Sequence, residues 1–222
     1  MNLNIHEKIE NILEESLLNI AKKFNYHESN LIILENNLEL LKEKHNDIYN
    51  NLLSCRQQRD TRSELTYAKD LIANWILEDI LLNKLIENGF ELNLAGNDKD
   101  RIILSNNKIS TTPDYDLNKN ENIYKIELIC SFTNYWEKYK KIDFRNDKFL
   151  KSKEKKAIVL CLDFFNNKFF ILDLRLNKKL NIKYIENHFV YKKPVYSIIL
   201  DNKINFFDLK FSNIINYFQK LK

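Results

Sequence analysis

The stretch from Ile109 to Phe132 reads ISTTPDYDLNKNENIYKIELICSF. Pro113-Asp114 ends a short strand or turn, a polar, Asn-rich hairpin follows, and Ile123 to Cys130 then has the composition of a strand. Side chains alternate between faces along a strand. Lys125, Glu127 and Ile129 therefore share one face, while Tyr124, Ile126, Leu128 and Cys130 form the apolar core face. A single carboxylate in so apolar a register needs a partner, because an unpaired buried charge is costly. One candidate partner is Lys125; the other is a cation. Asp114 precedes Glu127 by thirteen residues, and a hairpin of that length brings both carboxylates to one edge of a sheet. Two converging carboxylates make a hard oxygen site suited to Mg²⁺. Such an ion activates water and neutralises the charge that develops on a phosphodiester.

Around this stretch the chain changes character near Gly89. Before it the apolar pattern is helical. Ile5, Ile9, Ile12, Leu13, Leu17 and Ile20 recur at steps of three and four. A second helix is expected from about Ser29 to Ser54, carrying Leu31, Leu34, Leu38, Leu41, Ile48 and Leu52. Asn25-Tyr26-His27 sits at the joint of what reads as an antiparallel hairpin. A third helix, Glu64 to Glu87, stops at Asn88-Gly89. After Gly89 the period moves toward two. Strands are expected at Phe90–Leu94, Arg101–Leu104, Ile123–Cys130, Ala157–Asp163, Phe169–Leu174, Val195–Leu200 and Ile204–Leu209, with a closing helix from Ser212 to Leu221. The polar, aromatic stretch between Cys130 and Ala157 is expected to be partly helical or irregular. The fold class is α+β, bordering on α/β: an N-terminal helical region, residues 1–62, then a mixed β-sheet core flanked by helices, residues 63–222.

Composition narrows the function classes. The 222 residues include only two glycines and two prolines, which excludes a P-loop, a dinucleotide fingerprint and a G-x-S-x-G elbow. Cys55, Cys130 and Cys161 are far apart and form no zinc spacing or disulfide framework, so a reduced, cytoplasmic setting is expected. The opening MNLNIHEKIENILEESLLNI carries Glu10, Glu14 and Glu15 within its apolar stretch and does not read as a signal peptide. No apolar run suggests a membrane span. The 35 basic and 31 acidic residues give a net charge of +4, which permits nucleic-acid binding without arguing for it. Only six of the basic residues are arginines, and Asn is abundant. That bias matches the codons of an AT-rich gene, so lysine density is discounted.

Thr112-Pro113-Asp114-Tyr115, the strand with Glu127, and the tract SFTNYWEKYKKIDFRNDKFLKSKEKKAIVLCLDF resemble the PD-(D/E)XK nuclease superfamily, and within it the type II restriction endonucleases. The tract is similar to a pattern of several such enzymes through Phe132, Thr133, Tyr135, Trp136, Ile142, Asp143, Arg145, Lys148 and Phe149. The resemblance spans roughly Glu64 to Leu174. It implies a Mg²⁺-dependent, site-specific endonuclease on double-stranded DNA that leaves 5′-phosphate ends. Asp114 and Glu127 would hold the metal, and a lysine would orient or deprotonate the attacking water. The sequence departs from the motif at Ile129, which stands in the lysine position. Lys125, on the same face, is the first substitute and Lys148 the second. The superfamily often adds a carboxylate from a helix before the sheet. Glu78 is the candidate, on an apolar helix face where a carboxylate must either reach the edge or meet a cation. Arg145 and Lys148 are candidate phosphate contacts. So are Arg56, Arg59 and Arg62, whose three-residue spacing lines one side of a helix. Trp136, Tyr135 and Tyr139 suit either base stacking or packing. Two-fold symmetric sites call for a homodimer, with the N-terminal helices as dimer interface or DNA clamp. A cognate methyltransferase would be a genetic partner only. The rival reading is a non-catalytic nucleic-acid-binding or helical interaction protein on a similar scaffold, which Ile129 and the long helical region favour.

Overall fold

Short polar side chains cut the N-terminal region into pieces. The computed structural model describes residues 3–55, 62–96, 99–104, 112–176, 180–188 and 193–221. Five short helices replace the two expected long ones: α1 (Ile5–Leu13), α2 (Leu17–Lys23), α3 (Glu28–Leu34), α4 (Leu38–Lys44) and α5 (Asn46–Cys55). Glu14 and Asn36 leave the helical region with φ of 54° and 65°. Ser16 and Asn37 then accept from the backbone N–H groups of Asn19 and Leu40 and restart the chain as α2 and α4. His27 does the same for α3 through Ser29 N. The leucine and isoleucine stripe survives because each short helix still buries its apolar side. The third expected helix forms as α6 (Glu64–Glu87) and ends at Gly89, whose φ of 84° suits glycine.

The chain divides into two compact units: Met1–Lys84 with Asn97–Ser110, and Leu85–Gly96 with Thr111–Lys222. The division therefore falls inside α6 rather than at residue 62. Arg101–Leu104, expected as a strand, is irregular and belongs to the first unit. Its carbonyls are taken by helix side chains instead of a ladder: Asn30 Nδ2 donates to Arg101 O at 2.6 Å and Asn51 Nδ2 to Ile103 O at 3.1 Å.

The second unit holds β1 (Glu91–Leu94), β2 (Tyr115–Lys119), β3 (Asn122–Ser131), α7 (Tyr135–Tyr139), β4 (Lys141–Arg145), α8 (Asn146–Glu154), β5 (Ile158–Asp163), β6 (Lys168–Asp173), β7 (Ile182–Ile185), β8 (Val195–Ile199), β9 (Phe207–Asp208) and α9 (Phe211–Gln219). The main sheet has the order β1-β2-β3-β5-β6-β9, and only β3 and β5 run parallel within it. A smaller sheet has the order β4-β8-β7. All six residues of β5 are buried, as a strand covered on both faces requires. On one face, Lys119 donates to the carbonyls of Phe218, Gln219 and Leu221 at 2.6–3.0 Å and closes the end of α9 with a positive charge. On the other, Val159, Cys161, Phe170 and Leu172 pack against Trp136, Ile142, Phe144, Phe149 and Ile198 from α7, β4, α8 and β8. The polar, aromatic stretch after Cys130 thus supplies α7, β4 and α8, which cover the Glu127 face of the sheet. The Ile204–Leu209 strand shrinks to the two-residue β9, paired only at Lys168↔Asp208 and Phe169↔Phe207. The architecture is α+β. Among the described residues no helix is long and apolar enough to cross a membrane.

Candidate active site

The hairpin turn fixes the site. Asn120 and Glu121 both have left-handed φ, 50° and 63°, the signature of a two-residue turn whose twist suits a hairpin. Lys119↔Asn122 closes it, and the register then runs through Asp116↔Lys125 to Tyr115↔Ile126. One step beyond the ladder the same register sets Asp114 opposite Glu127. Asp114 is held there at two points: its Oδ2 accepts from Leu128 N at 2.7 Å, and its carbonyl accepts from Ala95 N at 3.0 Å.

The side chain of Glu127 has no exposed surface. Lys148, from the first turn of α8, forms an ion pair with Glu127 Oε1. That pair apart, neither carboxylate oxygen has a hydrogen-bond partner of regular geometry among the described residues. Burial pushes the Glu127 carboxyl up to about 8; the Lys148 ammonium pulls it down and the neighbouring Asp114 pushes it further up. Burial and the facing Asp114 carboxylate favour the protonated form, while the Lys148 ammonium favours the ionised one.

The absence of lysine at position 129 has a packing reason. Ile129 lies against the apolar cluster of Trp136, Ile142, Phe149, Val159 and Cys161. An isoleucine there adds apolar surface to that cluster, where a lysine would set a charge against it. The cation comes instead from α8, which β4 delivers. In the middle of β4, Asp143 is 3% exposed and gathers four donors. The hydroxyls of Tyr135 and Ser197 donate to it, Lys141 Nζ lies 3.0 Å away and His188 Nε2 lies 3.1 Å away. Burial alone would raise this carboxyl; the Ser197, Tyr135 and Lys141 contacts outweigh it and hold it below the usual carboxylate range. Asn146 N donates to Pro194 O at 3.1 Å, and the Phe149 ring meets Tyr196 at 4.5 Å, so the start of α8 is fixed to the strand after β7 as well.

Lys125 does not reach Glu127: both oxygens of Asp116, directly across the hairpin, bind its ammonium at 2.7 Å. The register counted back from the turn accounts for the pairing of Asp116 with Lys125. Glu78 does meet a cation, but the cation is Arg101, at 2.8 Å, and both belong to the first unit. Asp79 takes the rest of the same guanidinium and also accepts from Tyr26. Arg62 is bound to the buried Asp70 at 2.8 Å and lies over the Tyr67 ring. Arg56 and Arg59 lie outside the described residues. Arg145 precedes α8, partly exposed, with Asp147 at 3.6 Å. Trp136 is 6% exposed and packs edge-on against Phe170, a core role; Tyr139 is exposed.

Among the described residues no group of three or more His, Cys, Asp or Glu side chains gathers as a metal cluster. Asp114 and Glu127 make a two-carboxylate set. That suits Mg²⁺, which is usually held by one or two carboxylates and completes its shell with water and substrate phosphate. The under-satisfied buried oxygens of Glu127 fit such an ion. Compared with known proteins, the chain matches no family model and no curated protein.

Proposed function

We propose that this protein is a Mg²⁺-dependent endonuclease acting on double-stranded DNA, most specifically a restriction enzyme of the type II class. The observation that carries the reading is Asp114 and Glu127 set opposite each other past the end of a hairpin ladder, with Lys148 on the buried glutamate. Asp114 and Glu127 would hold Mg²⁺. When bound, the ion supplies Lewis-acid polarisation of the scissile phosphate and lowers the pKa of water. Leu128 N keeps Asp114 turned toward β3, so the carboxylates converge before any ion arrives. Lys148 takes the role expected of the missing motif lysine, orienting the attacking water or steadying a phosphate oxygen through its ammonium donors. Arg145, on the same connection, adds a phosphate contact. The products would carry 5′-phosphate ends, and a homodimer would place one site on each strand.

The test is incubation of purified protein with plasmid and phage DNA in Mg²⁺, in EDTA, and as Asp114→Ala in Mg²⁺. Discrete fragments that require both metal and Asp114 are expected. DNA binding without cleavage under any divalent ion would favour a binding module on this scaffold.

A further inference from the structure

Resting on the metal-site reading above, we infer that Lys148 is a displaceable stand-in for the metal: it holds Glu127 Oε1 in the metal-free protein and withdraws when a divalent cation binds. Glu127 is fully enclosed, and Lys148 is the only cation paired with it among the described residues. The other groups along this edge are committed elsewhere. Lys125 is bound by Asp116, and Leu128 N donates to Asp114. The ammonium therefore occupies the space where Mg²⁺ would coordinate. A dication needs its carboxylate oxygens at about 2.0–2.1 Å, and an ammonium on the same carboxylate would be strongly repelled by it.

Lys148 is also built to move. It sits in the first turn of α8 on a four-carbon stem, and its side chain is 31% exposed, so it has a path to solvent that Glu127 lacks. Asp143 and the Phe149 contacts hold the backbone of α8 in place while the side chain swings. Once displaced, the ammonium stays within a side-chain length of the ion, where an incoming phosphate or water needs a positive donor. One lysine thus serves twice: as counter-ion that keeps the carboxylate site formed when empty, and as substrate-side donor when it is filled. Metal uptake precedes the second role and requires the first to end.

The experiment has two arms. In ¹⁵N-labelled wild-type protein, the Lys148 ammonium signal is identified by its loss in Lys148→Met and followed as Mg²⁺ is added. In parallel, calorimetry measures Mg²⁺ affinity for wild type, Lys148→Met and Asp114→Asn, buffered above the titration of Glu127. The inference expects the ammonium signal to shift or broaden on saturation. It expects Lys148→Met to bind Mg²⁺ about tenfold more tightly, the effect of removing one competing ion pair. Mg²⁺ binding that depends on Asp114 but leaves the Lys148 signal unmoved, with no gain in Lys148→Met, overturns this inference and leaves the metal site standing. Absence of Mg²⁺ binding in all three proteins overturns both. The wild-type arm decides the matter should Lys148→Met not fold.

Discussion

A glutamate with no exposed surface, faced by an aspartate and held by one lysine, makes a specific thermodynamic statement. Its carboxyl is raised from the usual value near 4.5 to about 8, chiefly by burial. Between those two values the folded protein holds a proton that the unfolded chain has released. Unfolding then releases protons, so stability must fall as pH rises through this window. The slope from one such group is at most about 1.4 kcal/mol per pH unit. Glu127→Gln removes the group, and the variant's stability should depend less steeply on pH than wild type between about pH 5 and 8. Urea unfolding of the two metal-free proteins at several pH values measures the difference directly; parallel curves would mean that the Lys148 ion pair outweighs burial and keeps Glu127 ionised. At this scale the sequence was informative: a lone carboxylate in an apolar strand register stands out. Its lysine was legible only as the second choice behind Lys125, because Lys148 is twenty-one residues further along and reaches Glu127 only through tertiary packing of α8.

At the scale of elements, two local devices place the site. The first is the Asn120-Glu121 turn, which sets Asp114 against Glu127 and Asp116 against Lys125 by counting back along the ladder. That register is legible in the sequence from the position of the turn, and it pairs Lys125 with Asp116 and not with Glu127. The second is β4, pinned through Asp143 by donors from α7, β4 itself, β8 and the segment after β7. Nothing in a polar stretch such as KKIDFRNDK announces a strand, since its partner β8 lies about fifty residues downstream. Asp143→Ala leaves Tyr135, Ser197, His188 and Lys141 without their common acceptor. Breaking a buried charged network in this way should cost roughly 3–5 kcal/mol, read as a lower urea midpoint. A loss below about 1 kcal/mol would place the mutation in the ordinary range of surface changes and would contradict the role given to Asp143 in fixing β4 and α8.

For the whole molecule, the order of helices first and mixed sheet after, the long α6 and the central strands β3 and β5 were all readable from periodicity. The subdivision of the N-terminal region was not. Apolar spacing runs unbroken past Ser16, Asn37 and Asn46, and only the capping side chains and left-handed residues at Glu14 and Asn36 reveal the breaks. Glu78 shows the same lesson from the other side. A carboxylate on an apolar helix face does signal a buried cation, but Arg101 and a metal ion leave the same trace in sequence. The two lysines that compete for the missing motif position are now separated by geometry, Lys148 on Glu127 and Lys125 on Asp116. The most direct test of the account is therefore single-turnover cleavage of DNA in Mg²⁺ by wild type, Lys148→Met and Lys125→Met side by side. Lys148→Met should lose at least about a hundredfold in rate, the usual contribution of a positioned acid–base group, while Lys125→Met should stay within a few-fold of wild type. Cleavage that survives loss of Lys148, or that depends instead on Lys125, would contradict the site as drawn.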